Sequence, residues 1–197
     1  MTTPDIINHL TGIVSGSAIA SVRARRPITR ENAEKSYRAL FAPVTIDDAS
    51  LTERFAVATF VAHLHGDAQS AEHYGSTLAE LENGHPLREA IAQIAADAAT
   101  SGPYGDYPDG PLSAENKAGV IFRLSQAHRE KLGERLASAL EHAHLLVFRP
   151  RDASPQALKA LVSAGWSTSG IVTLSQLVSF LAFQLRVVAG LKVLATS

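Results

Sequence analysis

No stretch of this 197-residue chain alternates apolar and polar residues as a half-buried strand must. What recurs instead is helix punctuation. Ser50-Leu51-Thr52-Glu53 is a capping box, and it predicts a helix from about Leu51 through Phe55, Val57, Phe60 and Val61 to Gly66. Asp67 caps the next helix, whose apolar stripe is Ala71, Tyr74, Leu78 and Leu81 and which Asn83-Gly84 stops. Thr3-Pro4 and Ser154-Pro155 each pair a cap with a proline at the first helical position. The first opens a short helix with Ile6, Ile7 and Leu10. The second leads to Leu158, Leu161 and Val162, and Gly165 closes it. Arg26-Pro27 breaks the chain, Thr29 caps a helix carrying Ala33, Tyr37, Leu40 and Phe41, and Ala42-Pro43 ends it. Pro86 starts a helix with Leu87, Ile91 and Ile94. A long helical stretch follows Ser113, with Leu132, Leu136, Ala139, Leu140, Ala143 and Val147 on one face, and Arg149-Pro150-Arg151 terminates it.

The expected fold is therefore all-α: one domain over residues 1–197, with N-terminal helices in 1–45 and a core in 51–193. A chain of this length buries roughly 70% of its unfolded surface, so it needs no disulfide or metal to fold. Residues 101–113 read SGPYGDYPDGPLS, and their glycines and prolines preclude regular structure. This loop between the two halves is either a lid over a site or a surface connection.

The last helix opens near Ser167 or Thr168, continues to about Leu194, and is apolar almost all round. Such a helix is buried or crosses a bilayer. Gln176, Gln184, Arg186 and the internal serines argue for the buried alternative and against a membrane partner. Ser175, Ser179, Ala182, Arg186 and Ala189 fall on one narrow stripe, where small residues permit close helix approach. A buried Arg186 there requires an acidic or carbonyl partner. A helix this apolar on a small protein also implies contact with another copy of the chain.

Composition removes several function classes. The formal charge is −1, from 18 Lys+Arg against 19 Asp+Glu, so nothing draws the chain generally to nucleic acid or to an anionic membrane. Arg23, Arg25, Arg26 and Arg30 form one local basic cluster, read as a solvated helix start or as an anion or subunit contact. Cysteine is absent, which excludes disulfides, thiolate metal ligands and thiol redox chemistry. Met1 to Ala20 lacks the basic leader of a signal peptide, and the expectation is a cytoplasmic protein.

The histidines come in two close pairs, His63/His65 and His142/His144. On a helix, a spacing of two separates side chains by about 200°, so neither pair holds a metal alone. With no HExxH motif, no metal or other cofactor is expected, and surface or core histidines are the default. No GxSxG elbow marks a serine nucleophile, and no glycine-rich loop follows a strand. Arg149 and Arg151 either pair with the helix-end carbonyls and nearby acids or form a fork for a substrate carboxylate. Trp166, between two helices, is expected to be a packing residue.

Glu53 followed by His73, across one helix, a break at Gly66 and a second helix, resembles the core of the alkylhydroperoxidase D-like (AhpD-like) and carboxymuconolactone decarboxylase (CMD) family. The segment ALKALVSAGWSTSGIVTLSQLVSFLAFQLRVVAGL, residues 157–191, is similar to the closing segment of the family's peroxidase-related branch, with Arg186 and Gly190-Leu191 at its end. The resemblance spans roughly residues 51–193 and implies an AhpD-like helical bundle that forms homo-oligomers. Family peroxidases use a Glu, a CxxC and a His. The first and last match Glu53 and His73, whereas the cysteines' places fall near Gly66 and Gln69. The thiol mechanism is therefore not expected. Decarboxylase relatives need no cysteine pair. By that analogy the chain is a cofactor-free acid–base enzyme of lyase type acting on a small organic acid. His73 transfers the proton, Glu53 orients or shares it, and Arg149, Arg151 or Arg186 holds the carboxylate. Glu53 also fits a purely capping role. The alternative is a non-catalytic binding or structural oligomer that kept the fold and lost the chemistry.

Overall fold

The computed structural model describes residues 5–46 and 48–196, and among them the chain is all-helical. The helices are α1 (Ile6–Thr11), α2 (Ala18–Ala24), α3 (Pro27–Phe41), α4 (Leu51–Leu64), α5 (Ala68–Glu80), α6 (Gly84–Asp97), α7 (Gln126–Leu132), α8 (Glu134–Phe148), α9 (Pro155–Ser163) and α10 (Thr168–Ala195). No strand forms among the described residues. Gly105 and Lys117 make an isolated antiparallel bridge.

α4 is the axis of the molecule. Every residue from Arg54 to Ala62 is buried, because phenylalanine, valine and alanine occupy all sides of the helix. Its alanines at 56, 58 and 62 let neighbouring backbones approach closely. α5 and α6 pack on one side, α8 and α10 on the other. The capping box starts α4 as expected: Ser50 Oγ accepts from the Glu53 N–H, and Glu53 Oε2 accepts from the Ser50 N–H at 2.8 Å. Asp67 caps α5 by accepting from the Ser70 N–H at 2.9 Å.

Several expected boundaries shift for local reasons. The Thr3-Pro4 start lies outside the described residues, and the cap of α1 is Asp5, which accepts from the Asn8 N–H. Thr29 is not a cap, because Pro27 already occupies the first position of α3. A proline costs nothing there, since its missing N–H has no helical partner to lose. For the same reason α6 begins at Gly84, two residues ahead of Pro86. The long helix expected after Ser113 is broken. Residues 101–125 form a strap with one short 3₁₀ turn at Pro111–Glu115, and Gly133, at φ +77°, separates α7 from α8.

α10 is not buried all round. Ile171, Leu174, Leu177, Val178, Leu181, Leu185 and Val188 face the core, while Val172, Gln176, Ser179, Phe183, Arg186 and Val193 are exposed. At 28 residues, with a mean hydropathy of 1.8 over an 18-residue window, it is long and apolar enough to cross a membrane by length and composition. Its inner face is nonetheless built into the bundle. α1 docks on its C-terminal half through Ile6, Ile7, Leu10, Val188 and Leu191. The basic cluster has a structural task there: Arg23 and Arg30 pair with Asp5 at 2.9 and 2.7 Å and tie α1 to α2 and α3.

Candidate functional site

α8 and α9 diverge below the strap and leave a cavity of about 300 Å³. Helical spacing places Ser138, Glu141, His142 and Leu145 along one side of α8, so they line the same wall. Ala157, Ala160 and Leu161 of α9 form the opposite wall, and Val120 to Arg123 of the strap form the cover. Arg149 and Asp152, at the turn between the two helices, complete the rim.

His142 is the distinctive group in this cavity. It is 6% exposed, and its Nδ1 is buried without a hydrogen-bond partner. A buried polar atom left unpaired is costly. Burial lowers the pKa of His142 from its ordinary 6.5, so the ring is neutral at pH 7. His144 is also buried but is already engaged. Its Nε2 donates to the Ala98 carbonyl at 3.1 Å, and its ring stacks on Phe122 at 4.7 Å.

Two carboxylates hold the strap in place. Glu141 Oε1 accepts from the Leu124 N–H at 2.9 Å and also from Arg129, while Oε2 accepts from Arg123 at 3.3 Å. Asp152 Oδ2 takes Nε and Nη2 of Arg149 at 2.6 and 2.5 Å, and Oδ1 accepts from the Asp106 N–H at 3.3 Å. The strap of 101–113 is therefore continued by 114–124, and only that later part walls the cavity.

The residues expected to form a site are distributed over the molecule. Glu53 is committed to its cap and to Arg135, whose Nε donates to Oε1 at 2.6 Å. Arg135 in turn lies over the Trp166 ring at 4.1 Å, and the Trp166 indole N–H donates to the Arg135 carbonyl at 2.9 Å. This node joins α4, α8 and the start of α10, and Trp166 packs as expected. His73 sits where α1, α3 and α5 meet. Its Nε2 lies 3.0 Å from Tyr37 Oη, and the ring of His9 is 5.1 Å away. Burial, assisted by His9, lowers its pKa to about 4, and its ring neighbours are His9, Tyr37 and Tyr74 rather than an arginine. Glu53 and His73 share no partner.

Of the three arginines, Arg149 lines the cavity. Arg151 stacks on Tyr107 of the strap at 4.0 Å, with Nη1 buried and unpartnered. Arg186 is exposed rather than buried, and it meets its need by donating to the Ala182 carbonyl one turn back at 3.1 Å. Gly66 adopts φ +69°, a conformation that a cysteine adopts only with strain, and Gln69 Nε2 donates to the His9 carbonyl at 3.4 Å. No group of three or more His, Asp or Glu side chains that could hold a metal occurs among the described residues.

His142 was visible in the sequence as half of a histidine pair. The i,i+4 relation with Ser138 and the i,i+7 relation with Arg149 are the signal that could have singled it out. Comparison with protein-family models, with curated proteins and with solved structures finds no match.

Proposed function

We propose that the protein is a cofactor-free acid–base enzyme of the AhpD-like/CMD type, acting on a small organic acid in the cavity between α8, α9 and the strap. In this reading His142 takes the proton-transfer role that the family resemblance gives to His73. One observation carries it: a buried histidine whose Nδ1 has no partner and a guanidinium-bearing residue, Arg149, belong to the wall of the same cavity. Arg149 holds the carboxylate. The free Nδ1 accepts a proton from the substrate and returns it, which an imidazole does efficiently near neutral pH. Phe122, Leu145 and Leu161 give the cavity apolar walls, against which the hydrocarbon part of the substrate packs.

The test is a turnover screen of the purified protein with lactone acids and β-keto acids. His142→Gln should lower kcat/KM by about 100-fold or more, while His73→Gln leaves it within about threefold. The acid limb of the pH profile should lie below pH 6.5, because burial lowers the His142 pKa from that value, and it should vanish in His142→Gln. Turnover that survives His142→Gln sinks the assignment. Absence of turnover with every acid returns the protein to the non-catalytic alternative. With no cysteine in the chain, a metal-free sample should reduce neither hydrogen peroxide nor cumene hydroperoxide with a dithiol beyond a heat-inactivated control.

We also propose that the protein works in the cytoplasm as a homo-oligomer assembled through the exposed face of α10. That face carries Val172, Phe183 and Val193 and a single charge, Arg186.

A further inference from the structure

Asp152 holds Arg149 as a bound acid would. Both guanidinium contacts go to the same oxygen, at 2.6 and 2.5 Å, and the pair is mostly shielded, at 18% and 21% side-chain exposure. The other oxygen of Asp152 belongs to the strap. It accepts from the Asp106 N–H, and it lies so close to Gly105 that a Cβ on that glycine would stand 2.6 Å from it. Gly105, at φ +108°, also exchanges backbone hydrogen bonds with Lys117, at 2.8 and 3.3 Å. A short run of chain then leads to Val120–Arg123, the cover of the cavity. Asp152 therefore stands between Arg149, which lines the cavity at the α8–α9 turn, and the chain that covers the cavity.

We propose that Asp152 is an internal substitute for the ligand's carboxylate. The ligand is a small monocarboxylate that displaces Asp152 from Arg149 and in doing so releases the strap at Asp106. The inference rests on the reading of this cavity as a site for an organic acid, and it adds the ligand's charge and the trigger for opening. One carboxylate is exchanged for one carboxylate. Of the charged side chains that line the cavity, Arg149 is held by Asp152, and Arg123 by Glu141, which Arg129 also engages. A second ligand carboxylate would meet the charge of Glu141, so a monocarboxylate is favoured. The volume admits about ten water-sized units, which fits a single small ring or a short chain. The apolar side chains of the cover and of α9 suit the ligand's hydrocarbon part.

The consequence is unusual for binding, which ordinarily slows backbone exchange. Here exchange should quicken at the strap. The experiment uses the full chain, with benzoate as the probe and benzamide as its uncharged isostere. Calorimetry should show saturable binding of benzoate and none of benzamide, and Arg149→Met should abolish it. Hydrogen–deuterium exchange of the segment from Tyr104 to Tyr107 should accelerate with benzoate. Asp152→Asn should bind benzoate about fivefold tighter, because the competing anion is gone. Its strap should exchange fast even without benzoate. Slower strap exchange with benzoate, weaker binding by Asp152→Asn, or no binding of benzoate overturns the proposal. If Asp152→Asn fails to fold, the direction of the exchange change in the unaltered protein decides alone. Benzoate binding with a loosened strap but no turnover of any acid leaves this inference standing and sinks the enzymatic reading. His142-dependent turnover with a tightened strap does the reverse.

Discussion

At the scale of single residues, the histidines show how burial separates roles that the sequence leaves equal. His73 and His142 both lose charge through burial, yet His73 has Tyr37 as a partner and His142 Nδ1 has none. The first arrangement is a finished packing contact, and the second is an open valence. The finished contact should be visible in stability. The folded pKa of His73, about 4, lies below its ordinary 6.5, so between those values the unfolded chain binds more protons. The contribution is fully present above about pH 6.5 and is lost as pH falls toward 4. Urea unfolding from pH 7.5 to 4 should show a falling midpoint, and His73→Gln should flatten that decline. An unchanged slope in the variant would place the acid sensitivity in other buried histidines, His144 among them. Glu53 teaches a related point. A capping residue that also pairs with Arg135 has both carboxylate oxygens occupied, which leaves little for catalysis.

Among the elements, the joint between α5 and α6 is the most constrained. Asn83-Gly84 reads as a helix stop, and Asn83 does adopt φ +57°. Gly84, however, opens α6 against the end of α5. An added Cβ would stand 1.6 Å from the Leu78 carbonyl oxygen, a backbone atom that cannot rotate away. Gly→Ala inside a helix ordinarily stabilises by up to about 1 kcal/mol. Here Gly84→Ala should instead cost about 3 kcal/mol or more, because the two helices must move apart. Denaturant unfolding measures this directly, and a neutral or stabilising result would show that the joint relaxes easily. The strap illustrates the opposite case. It has little apolar periodicity, and separate tethers hold it: Tyr104 to Phe148, Asp106 to Asp152 and Leu124 to Glu141. Elements held by few long-range bonds open first, which is the property that the proposed release of the strap requires.

For the whole molecule, the division of burial between α4 and α10 matters most. Both are apolar on most sides, but only α4 has neighbours all round. α10 keeps an exposed face, with Phe183 at 40% and Val172 at 51% exposure. Contact with a second copy, as proposed, would remove that surface from water at a gain of roughly 25 cal/mol per Å². Light scattering coupled to size exclusion should find a homo-oligomer at micromolar concentration, and Phe183→Glu should shift it to monomer while keeping the helical spectrum. A monomeric unaltered protein would rule out that interface.

The chain by itself determined the helical class, the starts of α4, α5, α9 and α10, and the absence of cysteine thiols. These follow from local rules: caps, prolines and glycines act within a few residues of themselves, and a missing residue type is missing in any fold. The capping box at Ser50, the cap at Asp67 and the Ser154-Pro155 start were all legible for that reason. Tertiary structure alone decided which apolar helix becomes the axis, why Arg186 is exposed, and why the stretch after Ser113 does not become helix until Gln126. It also decided the site. Only the packing of α9 and the strap against α8 leaves His142 buried with an unpaired nitrogen in the wall of a cavity that Arg149 also lines. That depends on which long-range neighbours arrive, and one-dimensional spacing carries no record of them.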